Sequence, residues 1–470
     1  MFFRNDFFLR WIVTVLIIVL QACTRAIIKS PITQSVPVRP RPMTTLIDSA
    51  VIANAELFST PTLQLFYQKS NFHAAWFWGT QRIPGCDSLI AFAVGAGQCG
   101  LNPNDYHVAE FQKPSFFKNT EGRDSISRSD LLLSDAFFSL AHHLKYGWLD
   151  HTQSERLIRQ SSPDTATIKL LENVMAGDIS IRSALESREP EFTSYRALKS
   201  SLQELSRQDH RTLALSEQIL KIKLNLERLR QEQEAFPNRY ILINIPAFEL
   251  SAMEEDRVVF TSRIIVGSPE KPSPVLSSQI ESFIIYPYWT VPRSIATEEL
   301  LPLIQHDPGY IVAHNFDVFD MKGRVIDPDS VHWNIYSRDY FPFKLRQREG
   351  EENTLGIIKF IFKNNYGIYL HDTNNRKLFR NNMRALSHGC IRLEKATALA
   401  HYLIREGNAN CSDYVLDEYF QRKQKAEIRL HFHEPILTRY FTCWVTGGKL
   451  HFYPDCYALD NRLIRILNRP

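Results

Sequence analysis

Between about Thr45 and Phe236, apolar side chains recur at spacings of three and four, the period of helices that bury one face. In SDLLLSDAFFSLAHHLKY (129–146) the pattern predicts a helix, with Gly147 as its stop signal. Leu215, Ile219, Ile222, Leu226 and Leu229 follow at steps of four, three, four and three within 211–233. Two heptads are too few for a coiled coil, so this stretch reads as a helix packed on the body. Near Arg239 the period changes. RYILINIPAFEL, RVVFTSRIIVG, IESFIIYPYWTV and GIIKFIF are rich in Ile, Val, Phe and Tyr and punctuated by Pro and Gly, which is strand chemistry. A helical part at 45–236 followed by a β-rich part at 237–470 is expected, an α+β multidomain chain. Within the second part, 295–354 is irregular, with acidic and aromatic residues around Pro302, Pro308, Pro328 and Pro342. A segment this long inside a compact domain is expected to carry its own local structure or to act as a lid, and it reads as an insertion capping a site.

The first 22 residues have a different character. Arg4 and Arg10 precede an apolar run from Trp11 to Leu20, too short to span a bilayer but suited to an export signal. Leu20-Gln21-Ala22-Cys23 resembles a bacterial lipobox, which makes Cys23 the expected lipid attachment. Pro31, Pro37, Pro40 and Pro42 then favour an extended tether over 23–44. A folded body held at a membrane on the periplasmic side of a cell envelope is the expectation.

Composition narrows the classes. With 44% hydrophobic and 23% charged residues in 470, the chain is globular and long enough for about three domains. Lys and Arg number 55 against 51 Asp and Glu, a net +4, so there is no strong electrostatic footprint for nucleic acid. Seven cysteines are too few for a disulfide-built scaffold. Cys443 and Cys456 flank a Gly447-Gly448 turn that would bring two strands together, a candidate disulfide; Cys86 with Cys99 is a weaker one, and Cys411 has no obvious partner. His431 and His433 share a strand face beside Glu434, a spacing a metal would accept, although paired strand histidines are ordinarily solvated.

The most informative stretch is Tyr369-Leu370-His371-Asp372-Thr373, separated by the fifteen residues from Asp372 to Leu386 from Ser387-His388-Gly389-Cys390-Ile391-Arg392-Leu393. A thiol is a nucleophile as thiolate, which requires a base or cation nearby. His388 and His371 are the two candidates. Gly389 removes a side chain where a carbonyl has to approach, so the amides of Gly389 and Cys390 are candidate oxyanion donors.

These residues resemble the L,D-transpeptidase catalytic domain of the YkuD type, whose signature is a histidine, a gap of about this length and [Ser/Thr]-His-Gly-Cys. The resemblance implies Cys390 as nucleophile and His371 as general base. It implies Ser387, His388 and Gly389 as the signature loop, and Tyr369 as an oxyanion-hole residue. Arg392 falls on an Arg or Asn position and is a candidate for pairing with a stem carboxylate, or else for a buried ion pair that holds the loop. RYILINIPAFEL, IIVGSPEKPSPVLSSQI, YPYWTVPRSIATEELLP, NLERLR and WVTGGKLHFYPDCYALD extend the resemblance to the large periplasmic members, with a helical scaffold, a mainly β catalytic domain and a capping insertion. A peptidoglycan-binding helical module usual in such enzymes has no counterpart here, since only some twenty residues separate YRALKSSLQEL from NLERLR. The implied activity is acyl transfer between peptidoglycan stem peptides, donor and acceptor, through a thioester, without metal or cofactor. Hydrolysis by water, anchoring of a protein lysine, or a catalytically silent wall-binding role are the alternatives.

Overall fold

The computed structural model describes residues 46–48, 52, 57–116, 123–150, 155–157, 159–208, 212–232 and 236–467. The expected signal at 1–22, the tether at 23–44 and Cys23 lie outside them. Among the described residues no helix is long and apolar enough to cross a membrane.

The first part is helical: α1 (Thr60–Lys69), α2 (Gly85–Val94), α3 (Arg123–Tyr146), α4 (Thr165–Ala176), α5 (Ile181–Glu186), α6 (Thr193–Ser206) and α7 (Leu213–Arg230). The central helix α3 buries Leu133, Phe137, Leu140, Ala141 and Leu144 against Tyr67, Trp76, Leu89 and Leu171. It ends at Gly147, whose φ of 84° suits glycine. Space requires glycine too: a Cβ there would lie 2.2 Å from Glu227 Oε1.

Glu227 belongs to α7, the helix that joins the two parts. Thr212 caps its start by accepting from the Leu215 amide at 3.2 Å. Ile222, Leu226 and Leu229 pack with Tyr195, Leu198 and Leu202 of α6 and with Tyr240, Leu242 and Trp444 of the β-rich part, while Leu224 faces the core around α3. With both sides covered, its charged residues are buried as well. Glu227 and Arg230 have fully buried side chains 3.5 Å apart. Glu227 accepts the Trp148 and Leu149 amides at 2.6 and 3.0 Å, and Arg230 donates to the Tyr195 hydroxyl at 2.8 Å. Burial nevertheless pushes the Glu227 carboxyl up to about 7, against Arg230 and the two amides.

The second part is a strongly coiled sheet: β1 (Arg239–Asn244), β2 (Glu249–Glu254), β3 (Arg257–Gly267), β4 (Leu276–Ile285), β5 (Trp289–Thr290), β6 (Phe316–Asp320), β7 (Val325–Ile326), β8 (Phe343–Gln347), β9 (Ile358–Phe362), β10 (Leu370–His371), β11 (Ala385–Ser387), β12 (Ile391–Leu393), β13 (Ala426–Arg439), β14 (Cys443–Thr446) and β15 (Lys449–Phe452). The main sheet runs β11-β3-β12-β10-β9-β4-β13-β1-β2, and a further β2–β3 pairing closes it into a barrel. Its interior holds Ile241, Leu250, Ile264, Val266, Phe283, Phe360, Leu370 and Ile391. Most pairs are antiparallel, but β10 and β12 run parallel, as do β1 with β13 and β3 with β11.

The irregular segment has its own architecture. β5, β8, β6 and β7 form a separate four-stranded sheet around Trp289, Leu300, Ile311, Val318, Trp333 and Leu345. Its first strand, Trp289–Thr290, lies before residue 295 because it pairs with the end of β8 at Gln347 and Arg346.

The cysteine pairings do not form. All six described cysteines are free. The Gly447-Gly448 hairpin exists, but Cys443 stands opposite Phe452, which leaves Cys456 beyond the ladder, 3.9 Å from the Tyr440 hydroxyl. Cys86 and Cys99 are both buried in the helical core without bonding to each other. Of the candidate metal group, His431 and His433 are exposed, and Glu434 turns inward to Arg239 at 3.0 Å.

Removing one partner of a buried ion pair strands the other's charge. Glu227→Ala is therefore expected to cost about 3–5 kcal/mol in urea unfolding, more than any exposed Glu→Ala change on α7. A loss below about 1 kcal/mol contradicts the role given to this pair.

Candidate active site

The site is built by the parity of two short parallel strands. Leu370 pairs with Ile391 and His371 with Arg392. Side chains alternate across a sheet, so Leu370 and Ile391 enter the barrel core while Tyr369, His371, Cys390 and Arg392 emerge together on the other face. All four line one cavity of about 730 Å³, roofed by Trp289, Ile295, Leu300, Tyr310 and Phe316 of the inserted layer. The next strand extends the row, for Lys359 of β9 stands opposite His371.

Cys390 is reached through a braced loop. Gly389 has φ 108°, a conformation that disfavours any side chain, although space around it is ordinary. The Ser387 hydroxyl donates to the Cys390 carbonyl at 2.5 Å and accepts the Gly389 amide at 3.2 Å. The Gly389 amide is thus committed inside the loop rather than facing an oxyanion as expected. From outside, Ser273 Oγ donates to the Gly389 carbonyl at 2.7 Å and accepts the Gly267 amide at 2.9 Å. Tyr457 completes the brace by accepting the Ser273 amide at 3.1 Å and donating to the Gly267 carbonyl at 2.7 Å.

The two histidines are divided by place. His388 is partly exposed and hydrogen-bonds Glu299 of the inserted layer. His371 is buried at 4% exposure, with its ring 5.6 Å from that of Tyr369, and its Nδ1 has no hydrogen-bond partner among the described residues. Burial pushes its pKa down to about 3, helped by the charges of Arg392 and Lys359. The imidazole is therefore neutral at neutral pH and able to accept a proton. Among the described residues no hydrogen bond joins it to the thiol, whose ionisation is eased by Tyr369, Lys359 and Arg392 around it. Burial raises the Cys390 pKa, opposed by Tyr369, Lys359 and Arg392. Burial raises the Tyr369 pKa first, with Cys390 adding to the effect.

Arg392 has no carboxylate partner among the described residues, and its buried Nε makes no hydrogen bond, so the loop-holding ion pair is not formed. Asp372 has a structural task. Its carboxylate accepts the Ile357 amide at 3.1 Å and pairs with Arg376 at 2.9 Å, which anchors the end of β10. Gly356 permits this, since a Cβ there would lie 2.3 Å from Asp372 Oδ2.

A family model for the L,D-transpeptidase catalytic domain, YkuD, matches residues 238–408, and one for a scaffold domain matches residues 61–202. Residues 238–408 are a YkuD-type L,D-transpeptidase catalytic domain. A Haemophilus influenzae protein named as an L,D-transpeptidase is 34% identical over 243 residues. That alignment covers 52% of this chain and 48% of the relative, so the chain spans about half the length of the curated protein it matches. Among solved structures, a cysteine-to-serine mutant of the Enterococcus faecium L,D-transpeptidase overlaps 43% of this chain and 50% of its own, at 10% identity and a TM-score of 0.20. Mycobacterium tuberculosis L,D-transpeptidase 3 with a faropenem-derived adduct overlaps 43% of this chain and 60% of its own, at 15% identity and a TM-score of 0.21.

Several residues that shape the L,D-transpeptidase domain's site carry no local sequence signal: Ser273, Tyr457, Glu299, Trp289 and Lys359. Ser273, Trp289, Glu299 and Tyr457 sit within stretches that carry the family resemblance, but nothing in their spacing announces the contacts they make.

Acid stability tests the state of His371. Above pH 6.5 the ring is neutral whether the chain is folded or not; between 6.5 and about 3 the unfolded chain binds a proton that the fold refuses. Stability contributed here is therefore lost as pH falls through that window. His371→Asn is expected to flatten the fall in urea midpoint between pH 6.5 and 4; an unchanged slope contradicts a buried neutral imidazole.

Proposed function

We propose that the chain is a peptidoglycan L,D-transpeptidase that forms 3→3 cross-links through a thioester on Cys390. The observation that carries this reading is the emergence of Tyr369, His371, Cys390 and Arg392 on one sheet face, into one cavity under an inserted layer. The family match supplies the substrate class, stem peptides of the cell wall.

In the acylation step the Cys390 sulfur attacks the carbonyl of the third residue of a tetrapeptide donor. The thiol proton passes to His371, which is neutral and close by on the same face. Charge developing on the carbonyl oxygen is met by the Tyr369 hydroxyl, which lines the same cavity as Cys390. The peptide C–N bond breaks, His371 returns its proton to the departing amine, and D-Ala leaves. A side-chain amine of a second stem then attacks the thioester, losing its proton to His371 and regenerating the thiol. Arg392, without a carboxylate in the protein, is suited to bind one from the donor stem. Export and lipid attachment at Cys23 would place this chemistry on the periplasmic side of the envelope.

The inserted layer favours an amine over water as acceptor by covering the cleft. Incubation of a purified disaccharide-tetrapeptide with the protein is expected to release D-Ala and give a cross-linked dimer. Tripeptide without dimer indicates a hydrolase. Cys390→Ala is expected to lose at least about a thousandfold in rate, and to lose the covalent carbapenem adduct by intact mass. An adduct that persists in this variant removes Cys390 as nucleophile.

A further inference from the structure

The proposed chemistry leaves one charged residue beside the nucleophile without a role. Lys359 sits on β9 opposite His371, on the face that carries the site, and its ammonium lies 3.8 Å from the centroid of the Tyr369 ring. It is partly buried and does not line the cavity. Among the described residues it has no ion-pair partner. An ammonium held partly out of water is costly unless something nearby offsets its charge. The partners at hand are the face of a phenol, which attracts cations, and a sulfur that becomes anionic during the reaction.

We propose that Lys359 is a positioning residue of the nucleophile: its ammonium, seated on the Tyr369 ring, favours the thiolate of Cys390 and holds the phenol hydroxyl against it. The inference rests on Cys390 being the nucleophile. The surrounding charges are consistent with it. From β10 come Tyr369 and His371, and from β12 comes Arg392; His388 is drawn away to Glu299, with Lys271 3.8 Å from that same carboxylate. The charges that ease ionisation of the sulfur are cations, Arg392 and Lys359; the carboxylates lining the same cavity are Glu299, taken up by His388 and Lys271, and Glu352. Both cations oppose protonation of His371, so Cys390 cannot depend on a standing imidazolium for its ionisation. The fixed ammonium supplies that field instead, in surroundings where a unit charge acts more strongly than in water.

The test is the pH profile of iodoacetamide alkylation at Cys390, followed on its own tryptic peptide by mass spectrometry, in wild type, Lys359→Met and Lys359→Arg. Lys359→Met is expected to react roughly tenfold more slowly at pH 7, with its profile displaced upward by about one pH unit. Lys359→Arg is expected to restore most of the rate. Turnover of the disaccharide-tetrapeptide should fall in kcat with KM nearly unchanged, because Lys359 does not touch the cleft. A Lys359→Met profile that overlays wild type, or a Lys359→Arg variant as slow as Lys359→Met, overturns the proposal. If Lys359→Met does not fold, Lys359→Gln against Lys359→Arg gives the same comparison. A wild-type Cys390 no more reactive than buried Cys443 would overturn the nucleophile assignment itself, and this inference with it; a reactive Cys390 indifferent to position 359 removes only the role of Lys359.

Discussion

The site depends on the parallel register between Leu370–His371 and Ile391–Leu393. Two paired residues on each strand are enough, because the side-chain period of a strand is two. Leu370 and Ile391 are fully buried in the barrel and pin the pairing, since a slip by one residue would expose both and drive His371 and Arg392 into the apolar core. The hydrophobic effect that holds the barrel closed thus also aims Tyr369, His371, Cys390 and Arg392 into the cavity. Parallel neighbours cannot be joined by a tight turn. The chain between them therefore runs out past Arg376–Arg380 and back along β11, and this detour brings Ser387 to Gly389 beside β3 and the 268–273 loop that braces them.

The electrostatics of this pocket differ from those of a thiol paired with an imidazolium. His371 is held neutral, Arg392 and Lys359 are the nearby fixed charges, and no carboxylate of the described residues pairs with either. A neutral base next to a neutral thiol costs little to hold in a dry cavity, whereas a standing ion pair would have to be desolvated. The arrangement becomes favourable for charge only when an anion forms or arrives, whether thiolate, oxyanion or substrate carboxylate. The same cations that disfavour imidazolium at rest then stabilise the negative partner.

Much of the fold was legible from periodicity. The helix ending at Gly147, the helix through Leu215 to Leu229 and the strand Arg257–Gly267 all follow from apolar spacing and stop signals. Periodicity described α7 incompletely: its pattern announces one apolar face, yet Glu227, Arg228 and Arg230 on its other sides are buried too, paired with Trp148 and Leu149, Asp460 and Tyr195, all distant in sequence. The same limit applied at the site. His371 and Cys390 were recognisable by type and spacing, but Ser273, Glu299 and Tyr457 act through tertiary contacts spanning from 89 to 190 residues, which no local pattern records. The Cys443–Cys456 expectation failed for a related reason. The Gly-Gly turn was correctly placed, but the hairpin register put Phe452 rather than a cysteine opposite Cys443.

The signature loop itself is divided between two tasks, and the division follows from solvent access. Ser387 and Gly389 turn inward and spend their hydrogen bonds on the backbone that carries the sulfur. His388, with its side chain 37% exposed, reaches outward to Glu299, which Lys271 also approaches, while the neighbouring Glu298 binds Arg338 at 3.2 Å. This chain of polar contacts links the Cys390 loop, the 268–273 brace and the inserted layer. Exposed ion pairs contribute little stability singly, and they break and reform easily. A roof fastened at the Cys390 loop by such contacts, and packed on itself around Trp289 and Leu300, is held by weaker bonds than those that set the barrel register, so the thiol and imidazole keep their places independently of it.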